Sequence, residues 1–429
     1  MNASPTDISY AARLDAQDPL APMRSRFSLP PETVYLLGNS LGPMPLGAEA
    51  SVVRILEEWR TMGIGGWLDG APPWFWLAER LGEAMAPLVG ADADEVVCTG
   101  TTTFDIHALV GSFYHPQGRR RKIVASSADF PTDIYALGSW IDLHGGSHER
   151  DLVLIGPGED GFVDEDEIID AMTDEVALVH LPSVFYQSAQ LLDMERLAAE
   201  AGKRGIPIGF DCSHSAGVVP HRLSEWGVDF AMWCGYKYLC GGPGAPAFLY
   251  LNRRHFDRVP ALKGWFGFVK ERQFDLLPEF EHQRGAGGWQ VSSPGILGAA
   301  ALAGALETVG EAGIDKIREK SLRLTSYLID LADRLLASEP YRFRVATPRE
   351  DARRGGHVAL SRGADALRIK EALVGRGVIV DFRPPDVIRL SPSPLYTSFS
   401  EVRAVVRHIM EIVDTKEYER IPGGRRPIS

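Results

Sequence analysis

Cysteine is scarce in this chain, and the spacing of the cysteines argues against a metal site. The four cysteines among 429 residues are Cys98, Cys212, Cys234 and Cys240, and no C-x-x-C pair occurs. The eleven histidines are scattered without the spacing of metal-ligand pairs, so we predict no metal site. Because three of the four cysteines lie in or beside apolar runs, we expect buried, reduced thiols in a cytoplasmic protein.

Positive charge and long apolar runs are also in short supply. The chain has 45 lysines and arginines against 57 aspartates and glutamates, a net charge of −12, which argues against nucleic acid or an anionic membrane as a partner. The longest apolar run, residues 296–306, has 11 residues, whereas a membrane helix needs about 20. Residues 1–7 lack a basic segment and an apolar segment, so we expect no secretory signal.

The first two thirds of the chain alternate between apolar strands and helices. Near-continuous apolar runs at residues 122–126, 176–180 and 206–210 are separated by segments with helical character. Repeated strand–helix–strand units of this kind predict an α/β fold with a mostly parallel sheet that is covered on both faces. No G-x-G-x-x-G occupies the first strand-to-helix turn, which disfavours a dinucleotide ligand.

This pattern divides the chain into three parts. We expect an irregular N-terminal arm at residues 1–45, a large domain at 46–300 and a smaller α+β domain at 301–429. A long helical region starts at residue 296 and is interrupted near Gly310–Gly313. The glycine-rich tail at residues 423–427 is predicted to be mobile.

An aspartate and a lysine follow the ends of two predicted strands. Asp211 comes directly after the apolar run at 205–210, and Lys237 comes after the run at 230–234 and before a Gly/Pro-rich turn. Ligands of open α/β sheets bind at the carboxyl ends of the strands. Pyridoxal 5'-phosphate (PLP) forms a Schiff base with a lysine while an acidic group keeps its pyridine nitrogen protonated. The pair therefore favours a PLP site, although each residue alone would be ordinary.

The strand-to-helix junction at residues 99–103 has the composition of a phosphate site. Its sequence, Thr99-Gly-Thr-Thr-Thr, offers backbone N–H groups, hydroxyl donors and the positive end of a helix dipole. Simple capping of the helix by threonine would explain the same residues. We favour the phosphate.

Three further residues have two interpretations each. Phe130 follows a strand and could stack on a planar cofactor or merely begin a helix, and Asp133 in the first turn of that helix is explained by capping alone. Arg389 lies between apolar neighbours in the strand at 387–390. Its guanidinium is therefore either turned to solvent or held inward by an anion such as an amino-acid carboxylate.

Taken together, these motifs resemble those of the kynureninases, which are fold-type I (aspartate aminotransferase-like) PLP enzymes. The resemblance extends over about residues 34–412. It implies a large, mostly parallel sheet domain and a smaller α+β C-terminal domain. The matching stretches are Leu37-Gly-Asn-Ser-Leu-Gly, Asp129-Phe-Pro-Thr-Asp, Asp211-Cys-Ser-His-Ser-Ala-Gly, Gly235-Tyr-Lys-Tyr-Leu, Gly241-Gly-Pro-Gly-Ala-Pro-Ala-Phe-Leu, Gly264-Trp-Phe-Gly and Arg389-Leu-Ser-Pro-Ser-Pro-Leu-Tyr.

The resemblance also implies a set of site residues. Lys237 would carry the PLP, Asp211 would pair with its pyridine nitrogen and Tyr236 would move a proton. Arg389 would hold the substrate carboxylate. The family is dimeric with sites between subunits, so two of the cofactor contacts, Trp265 and Ser293, would come from the partner subunit. The other implied contacts are Thr101, Thr102, Phe130, Asp133 and His214 for the cofactor, and Asn39 and Phe268 for the substrate.

The reaction implied by the resemblance is hydrolysis of the Cβ–Cγ bond of L-kynurenine or 3-hydroxykynurenine, a step of tryptophan catabolism. The products would be L-alanine and anthranilate or 3-hydroxyanthranilate. Three positions depart from the family pattern: Phe268 replaces His, Ser293 replaces Asn or Thr, and Asp105 replaces Asn. These departures leave open a kynureninase-like hydrolase, lyase or aminotransferase that acts on a different or modified amino acid in a biosynthetic pathway.

Two other classes of protein would share much of this pattern. A cysteine desulfurase-like lyase needs a reactive cysteine on a mobile loop, whereas the cysteines here lie within or beside the cofactor segments. A regulator or structural subunit that had lost its activity would have lost Lys237, Asp211 or Arg389, and all three are present. An enzyme is therefore predicted.

Overall fold

A computed structural model of the protein describes residues 4–422, and the tail predicted at residues 423–427 lies outside them. The α-helices within these residues are α1 (Ile8–Ala16), α2 (Leu46–Met62), α3 (Gly66–Asp69), α4 (Leu77–Val89), α5 (Thr102–Phe113), α6 (Pro131–Leu143), α7 (His148–Asp151), α8 (Glu165–Ala171), α9 (Met194–Lys203), α10 (Ile296–Ala312), α11 (Ile314–Leu335), α12 (Ala366–Gly375) and α13 (Phe399–Asp414). The strands are β1 (Phe27–Ser28), β2 (Val34–Tyr35), β3 (Met44–Pro45), β4 (Val96–Thr99), β5 (Lys122–Ser126), β6 (Leu152–Ile155), β7 (Val176–Pro182), β8 (Ile208–Asp211), β9 (Phe230–Cys234), β10 (Ala247–Leu251), β11 (Arg344–Val345), β12 (Val358–Ser361), β13 (Val378–Ile379), β14 (Asp381–Arg383) and β15 (Val387–Leu390).

A seven-stranded sheet forms the centre of the large unit, in the order β4–β10–β9–β8–β7–β5–β6. Its neighbours pair in parallel except at β10, which is antiparallel to both β4 and β9. All residues of β4, β9 and β10 are buried, which is why these strands read as continuous apolar runs rather than as alternating ones. The predicted α/β fold with a mostly parallel sheet is confirmed.

The direction of the strands brings the predicted site residues to one edge of this sheet. β4 and β9 are both antiparallel to β10, so β4 runs in the same direction as the parallel strands. The carboxyl ends of β4, β5, β8 and β9 therefore share one edge. Thr99, Ser126, Asp211 and Cys234 are the last residues of these strands, and the segments that follow them start at that edge.

The smaller unit is built on a four-stranded antiparallel sheet in the order β11–β12–β15–β14. Helices α11, α12 and α13 pack with it around a second hydrophobic core. In this sheet Arg389 of the inner strand β15 lies directly opposite Ala359 on one side and Asp381 on the other. The register therefore sets a carboxylate beside the arginine.

The N-terminal segment is not the irregular arm that the sequence suggested. Residues 8–16 form α1, which packs against α13, and Ala11 is buried in the core of the small unit. The carboxylate of Asp15 accepts hydrogen bonds from the N–H groups of Phe399, at 2.6 Å, and Ser400, at 3.1 Å, at the start of α13. The expectation failed because a short helix of this kind is fixed by tertiary packing rather than by its own composition.

The expected boundary between residues 300 and 301 falls inside α10. Leu302, Leu306 and Val309 of this helix are buried in the core of the large unit, and α10 packs closely on α2. A Cβ atom on Gly304 would lie 2.0 Å from the carbonyl oxygen of Gly47 in α2, so glycine permits the close approach. We propose that the two units divide at Gly313, which separates α10 from α11.

No single α-helix between residues 4 and 422 is long and apolar enough to cross a membrane. Helices α10 and α11 meet these criteria of length and composition when taken together, but the chain bends by 77° between them.

Candidate active site

Asp211 ends β8 in buried and acidic surroundings. Its Oδ1 accepts a hydrogen bond from the N–H of Ser213 at 2.7 Å. Burial, and next the charge of Asp133, raise the pKa of Asp211 to about 6, against the opposing effect of Lys237 and Ser213. A cationic partner would offset both the burial and the repulsion, so this carboxylate is suited to pair with a protonated ring nitrogen.

Two more carboxylates lie close to Asp211. Oδ1 of Asp133, in the first turn of α6, is 3.0 Å from Nε2 of His180 in β7. Asp129 accepts a hydrogen bond from the N–H of Ser126 at 3.2 Å, and burial, followed by the charges of Asp133 and Asp211, raises its pKa well above the usual range. Oδ2 of Asp133 and Oδ1 of Asp129 are buried without a hydrogen-bond partner among residues 4–422. Buried polar atoms without partners point to a missing ligand.

Lys237 lies on the turn that follows β9. Its carbonyl oxygen accepts a hydrogen bond from the N–H of Cys240 at 3.0 Å, and the charge of its amine partly offsets that of Asp211. The preceding residue, Tyr236, has its pKa raised above the usual range by the neighbouring Cys234, and next by burial. The Tyr236 hydroxyl therefore keeps its proton near neutral pH.

The segment at residues 37–42 touches this lysine turn directly. The N–H of Gly42 donates to the carbonyl oxygen of Tyr236 at 2.8 Å. A Cβ atom on Gly42 would lie 2.4 Å from Sγ of Cys240 and 2.6 Å from the carbonyl oxygen of Lys237. Asn39 in the same segment is fully buried, and neither end of its amide has a hydrogen-bond partner within residues 4–422. Its amide is thus free to bind a ligand.

The junction between β4 and α5 forms one wall of a cavity of about 520 Å³. Thr101 caps α5, with its hydroxyl accepting from the N–H of Phe104 at 3.4 Å, and Thr102 is the first residue of the helix. Residues 291–295, including Ser293, line the same cavity. Ser293 therefore shares one cavity with Thr101 of its own chain, whereas the resemblance led us to expect it from the partner subunit.

Asp105, one of the departures from the family pattern, is buried beside this junction. A Cβ atom on Gly100 would lie 2.4 Å from its Oδ1, and neither carboxyl oxygen has a hydrogen-bond partner in the described part of the chain. Burial raises the pKa of Asp105 well above its usual range. Burial therefore favours the uncharged form of this carboxyl group.

Phe130 and His214 come together through Tyr186. Phe130 precedes α6 with its side chain 50% exposed, and its ring meets that of Tyr186 edge-on at 5.4 Å. The centre of the His214 ring lies 6.4 Å from that of Tyr186. Burial, and next the charges of Lys237 and Arg389, hold the pKa of His214 well below its usual value, so His214 is neutral.

Arg389 is turned inward, and an anion of the chain itself holds it there. The residue is 1% exposed, its Nε donates to Oδ1 of Asp381 at 2.8 Å, and its Nη2 donates to Oδ2. Its Nη1 donates to the carbonyl oxygen of Tyr186 at 2.6 Å. The interpretation of Arg389 as a solvent-facing residue is excluded.

Phe268 and Trp265 lie on a loop of short 3₁₀ turns that follows β10. The indole of Trp265 is 48% exposed, with its N–H donating to the carbonyl oxygen of Gln273 at 3.3 Å. Phe268 is only 6% exposed and packs edge-on against Phe280, with ring centres 6.2 Å apart. An apolar ring at this position packs into the loop, and the role of Phe268 as a substrate contact stays a prediction.

The sequence matches known proteins along almost its whole length. The kynureninase of Geobacillus thermodenitrificans is 46% identical over 422 residues, which cover 98% of both chains. The chain belongs to the kynureninase family. Residues 317–409 match the family model described as the kynureninase C-terminal domain. The kynureninase of Shouchella clausii is 45% identical over 416 residues, 97% of this chain and 96% of the relative.

Solved structures similar to this kynureninase-family chain confirm its fold-type I architecture. The apo cysteine desulfurase of Thermococcus onnurineus NA1 aligns with a TM-score of 0.78 and 19% identity, over 93% of this chain and 98% of that one. A C-DES mutant with glycine covalently linked to its PLP cofactor aligns with a TM-score of 0.77 and 16% identity, over 90% and 98%. At these identities the likeness shows the fold alone.

The cysteines separate this member of the kynureninase family from a desulfurase-like site. All four are free and buried, and burial raises the pKa of both Cys212 and Cys240 to about 12. A reactive loop cysteine would be exposed and have a lowered pKa.

Three residues of the site were given no role in the sequence analysis. Asp129 was recognised only as part of a motif, although it precedes Phe130 at a strand end. His180 interrupts an otherwise apolar strand, and that polar residue in a buried run was a usable signal. Asp381 could be found only by pairing β14 with β15, since the contact depends on strand register.

Proposed function

We propose that the protein is a PLP-dependent hydrolase that cleaves the Cβ–Cγ bond of L-kynurenine or 3-hydroxykynurenine. The products are L-alanine and anthranilate or 3-hydroxyanthranilate. The observation that carries this proposal is the 46% identity to a kynureninase across 98% of both chains. Lys237, Asp211 and Arg389, which the chemistry needs, are all present in this chain.

The residues at the sheet edge fit PLP. The carboxyl groups of Asp129, Asp133 and Asp211 lie close together and include buried oxygen atoms without partners among residues 4–422, and a protonated pyridine ring would favour their ionised forms. We assign Asp211 to the ring nitrogen, with Asp133 beside it and the half-exposed ring of Phe130 on its face. Backbone and hydroxyl groups of Thr101 and Thr102 at the start of α5 suit the phosphate.

Bound to Lys237, PLP would supply an electron sink for negative charge that develops on the substrate. Asp211, as the carboxylate, would keep the pyridine nitrogen protonated, so that the sink stays effective. The amine of Lys237 would hold the cofactor and would take the proton from Cα of the substrate. Tyr236 moves a second proton, which its hydroxyl retains at neutral pH because its pKa is raised. His214, being neutral, packs at the site without adding charge.

We assign substrate contacts to two residues. Arg389 binds the carboxylate of the amino acid, and Asn39, whose buried amide has no partner among residues 4–422, binds a polar group of the substrate. Ser293 acts at the phosphate of its own chain, supported by the cavity it shares with Thr101. Phe268 is a packing residue of its loop.

We also propose a homodimer with the sites at the subunit interface. A band of exposed apolar side chains on neighbouring segments supports it, because such patches on a protein surface mark interaction sites. Trp67 contacts Phe266, and Trp265 contacts both Phe266 and Phe274, which joins the helical part of the band to the loop of Trp265. The exposed members are Val53, Leu56, Trp59, Met62, Ile64, Leu68, Trp265, Phe274, Leu276 and Leu277. We assign Trp265 to the phosphate of the partner's site.

A cytoplasmic location and a role in the kynurenine pathway of tryptophan catabolism complete the proposal. Four unpaired thiols support the location, since oxidising compartments favour disulfides. The net charge of −12 supports a protein that binds a small molecule rather than a nucleic acid.

The deciding experiment measures both products at once. The PLP-loaded protein is incubated with L-kynurenine and, separately, with 3-hydroxykynurenine, and alanine and the aromatic acid are quantified together. We expect equal amounts of both products from at least one substrate and none from Lys237→Ala. If the cofactor binds normally but neither substrate yields alanine, the kynurenine assignment is wrong and the alternative, a different or modified amino acid, takes its place.

A further inference from the structure

A lysine is buried within the loop of 3₁₀ turns that follows β10. The side chain of Lys270 has no exposed surface. Its Nζ donates to the carbonyl oxygen of Phe75 at 3.0 Å and to the carboxylate of Glu79 in the first turn of α4. The ammonium group also lies over the rings of Phe75, Trp76 and Phe266, at 4.5–5.2 Å from their centres. Because ring faces attract a cation, the lysine is held from several sides.

Glu79 also binds a second loop. Its Oε1 accepts a hydrogen bond from Nε2 of Gln290 at 2.7 Å, and Gln290 is 1% exposed. One carboxylate of α4 therefore joins the loop of Lys270 to the segment of Gln290. The side chain of Glu79 is 28% exposed, so it is partly withdrawn from water and relies on the ammonium group as its counter-ion.

The two loops touch through their backbones as well. A Cβ atom on Gly264 would lie 1.8 Å from the carbonyl oxygen of Val291, and one on Gly267 would lie 2.6 Å from that of Gln290. Glycine permits this close approach because it has no side chain to meet the other loop. The turn that carries Trp265 therefore packs on the backbone of the Gln290 segment.

This segment continues into the cavity at the start of α5. Residues 291–295, with Ser293 among them, line the cavity of about 520 Å³ together with Thr101. Two residues separate Gln290 from Ser293 in the chain. The place where Gln290 is held therefore limits where Ser293 can lie relative to Thr101.

We propose that Lys270 and Glu79 are positioning residues for the phosphate of the cofactor. Through Gln290, their ion pair fixes the segment of Ser293 beside the start of α5. This inference rests on the proposed function, in which Ser293 and Thr101 act at the phosphate of PLP. It adds that the affinity for the phosphate depends on an ion pair whose two residues do not themselves line the cavity.

A purely structural ion pair would behave differently. Its loss would lower the free energy of unfolding but would not change how much the phosphate group adds to the binding of the cofactor. That addition is measured by comparing PLP with pyridoxal, which lacks the phosphate. Each compound is titrated into the full-length protein after removal of PLP, and binding is followed by the absorbance of the bound compound, without turnover.

The test compares the ratio of the two dissociation constants among variants. In the unmodified protein we expect PLP to bind at least about a hundredfold more tightly than pyridoxal, as hydrogen bonds to a charged phosphate allow. In Lys270→Met this preference should fall at least about tenfold, with the affinity for pyridoxal changed by less than about twofold. Methionine keeps an unbranched apolar side chain but removes the charge, so Glu79 loses its counter-ion.

Arg272→Met is the matched control. Arg272 lies in the same loop and also pairs with a carboxylate, that of Glu281, but its side chain is 46% exposed. The same exchange of a cation for methionine should therefore keep the preference for PLP. Should Lys270→Met fail to fold, Glu79→Gln, which keeps an acceptor for Gln290 but removes the ion pair, is expected to lower the preference at least about threefold.

The outcomes separate the inference from the function on which it rests. An unchanged preference in Lys270→Met, or an equal fall in Arg272→Met, would overturn the role of the ion pair; a lowered preference in Ser293→Ala would then still support the phosphate site. An unchanged preference in Ser293→Ala would show that this serine does not act at the phosphate, and the inference would fall with that assignment. The choice of substrate is decided separately, by the measurement of both products.

Discussion

Oδ1 of Asp133 lies 3.0 Å from Nε2 of His180, and both side chains are buried. The chain contains an exposed pair of the same kind, in which Nε2 of His148 lies 3.2 Å from Oδ1 of Asp142. The two pairs have nearly equal geometry and differ in burial. Substitutions in the two pairs can therefore show how much burial adds to the contribution of such a contact to the free energy of unfolding.

We expect His180→Leu to lower the free energy of unfolding by about 1–3 kcal/mol, because it leaves a buried carboxylate oxygen without a donor. His148→Leu should change it by less than about 1 kcal/mol, since exposed ion pairs are worth little. Urea unfolding of both variants at neutral pH measures the difference. Equal losses would mean that Asp133 does not depend on His180.

The raised pKa of Asp211 predicts opposite effects of one substitution with and without cofactor. Because burial and then Asp133 raise this pKa to about 6, the ionised group destabilises the cofactor-free fold. Below the pKa of Asp211 in the unfolded chain, near 4, the group is protonated in both states and costs no stability. The free energy of unfolding then falls as the pH rises through about 6, the pKa in the folded protein. Asp211→Asn should therefore stabilise the cofactor-free protein by roughly 2 kcal/mol at pH 8 and hardly at all at pH 4.

The same Asp211→Asn variant should bind PLP at least about tenfold more weakly, because a neutral amide cannot pair with the protonated ring nitrogen. Thermal unfolding at several pH values, with and without PLP, measures both effects. Asp257→Asn on the surface, where the side chain is 92% exposed, serves as the control and should show neither. A variant that is less stable than the parent without cofactor at pH 8 would contradict the burial argument.

The site residues that could be predicted from the sequence are those carried by short motifs next to strand ends. Asp211, Lys237 and Thr101 belong to this group, because a buried strand, its direction and the turn after it are all local features. Asp381 is different: its contact with Arg389 depends on two strands pairing in one register, which no local pattern specifies. The burial of Phe268 against Phe280 likewise depends on how a loop closes on itself.

The same distinction explains the domain boundaries. The break near Gly313 was visible as glycines within a helical pattern, but the unit to which α10 belongs follows from its contact with α2 at Gly47 and Gly304. The first residues looked irregular because α1 becomes a helix through its contacts with α13, some 400 residues later in the chain. Local composition describes elements, while long-range packing decides how they are grouped.

The close approach of Gly42 to the lysine turn predicts a sharp loss of function. In Gly42→Ala the new methyl group would meet Sγ of Cys240 at 2.4 Å and the carbonyl oxygen of Lys237 at 2.6 Å, so the backbone of the turn must move. We expect a loss of stability of about 1–3 kcal/mol and a weaker bond between PLP and Lys237, seen as an altered absorbance of the bound cofactor.

Gly310→Ala in α10 is the control. It has no atom within 4 Å of the new carbon and should stabilise the protein by about 0.5–1 kcal/mol. Similar effects from both substitutions would contradict the packing argument.

Trp265 and Ser293 are both implied contacts of the cofactor but should serve different sites. Ser293 shares a cavity with Thr101 of its own chain, whereas Trp265 lies in the exposed apolar band that we assign to the subunit interface.

Mixing inactive variants distinguishes the two arrangements. In a mixed dimer of Lys237→Ala and Trp265→Ala chains, one site has its own lysine and receives an intact tryptophan from the other chain. After unfolding and refolding together in equal amounts, about a quarter of the parent activity should return, since half of the dimers are mixed and each has one intact site. The pair Lys237→Ala and Ser293→Ala should restore almost none, because the chain that keeps Lys237 lacks the serine of the same site. Recovery with both pairs would assign Ser293 to the partner's site, and recovery with neither would remove Trp265 from the shared interface.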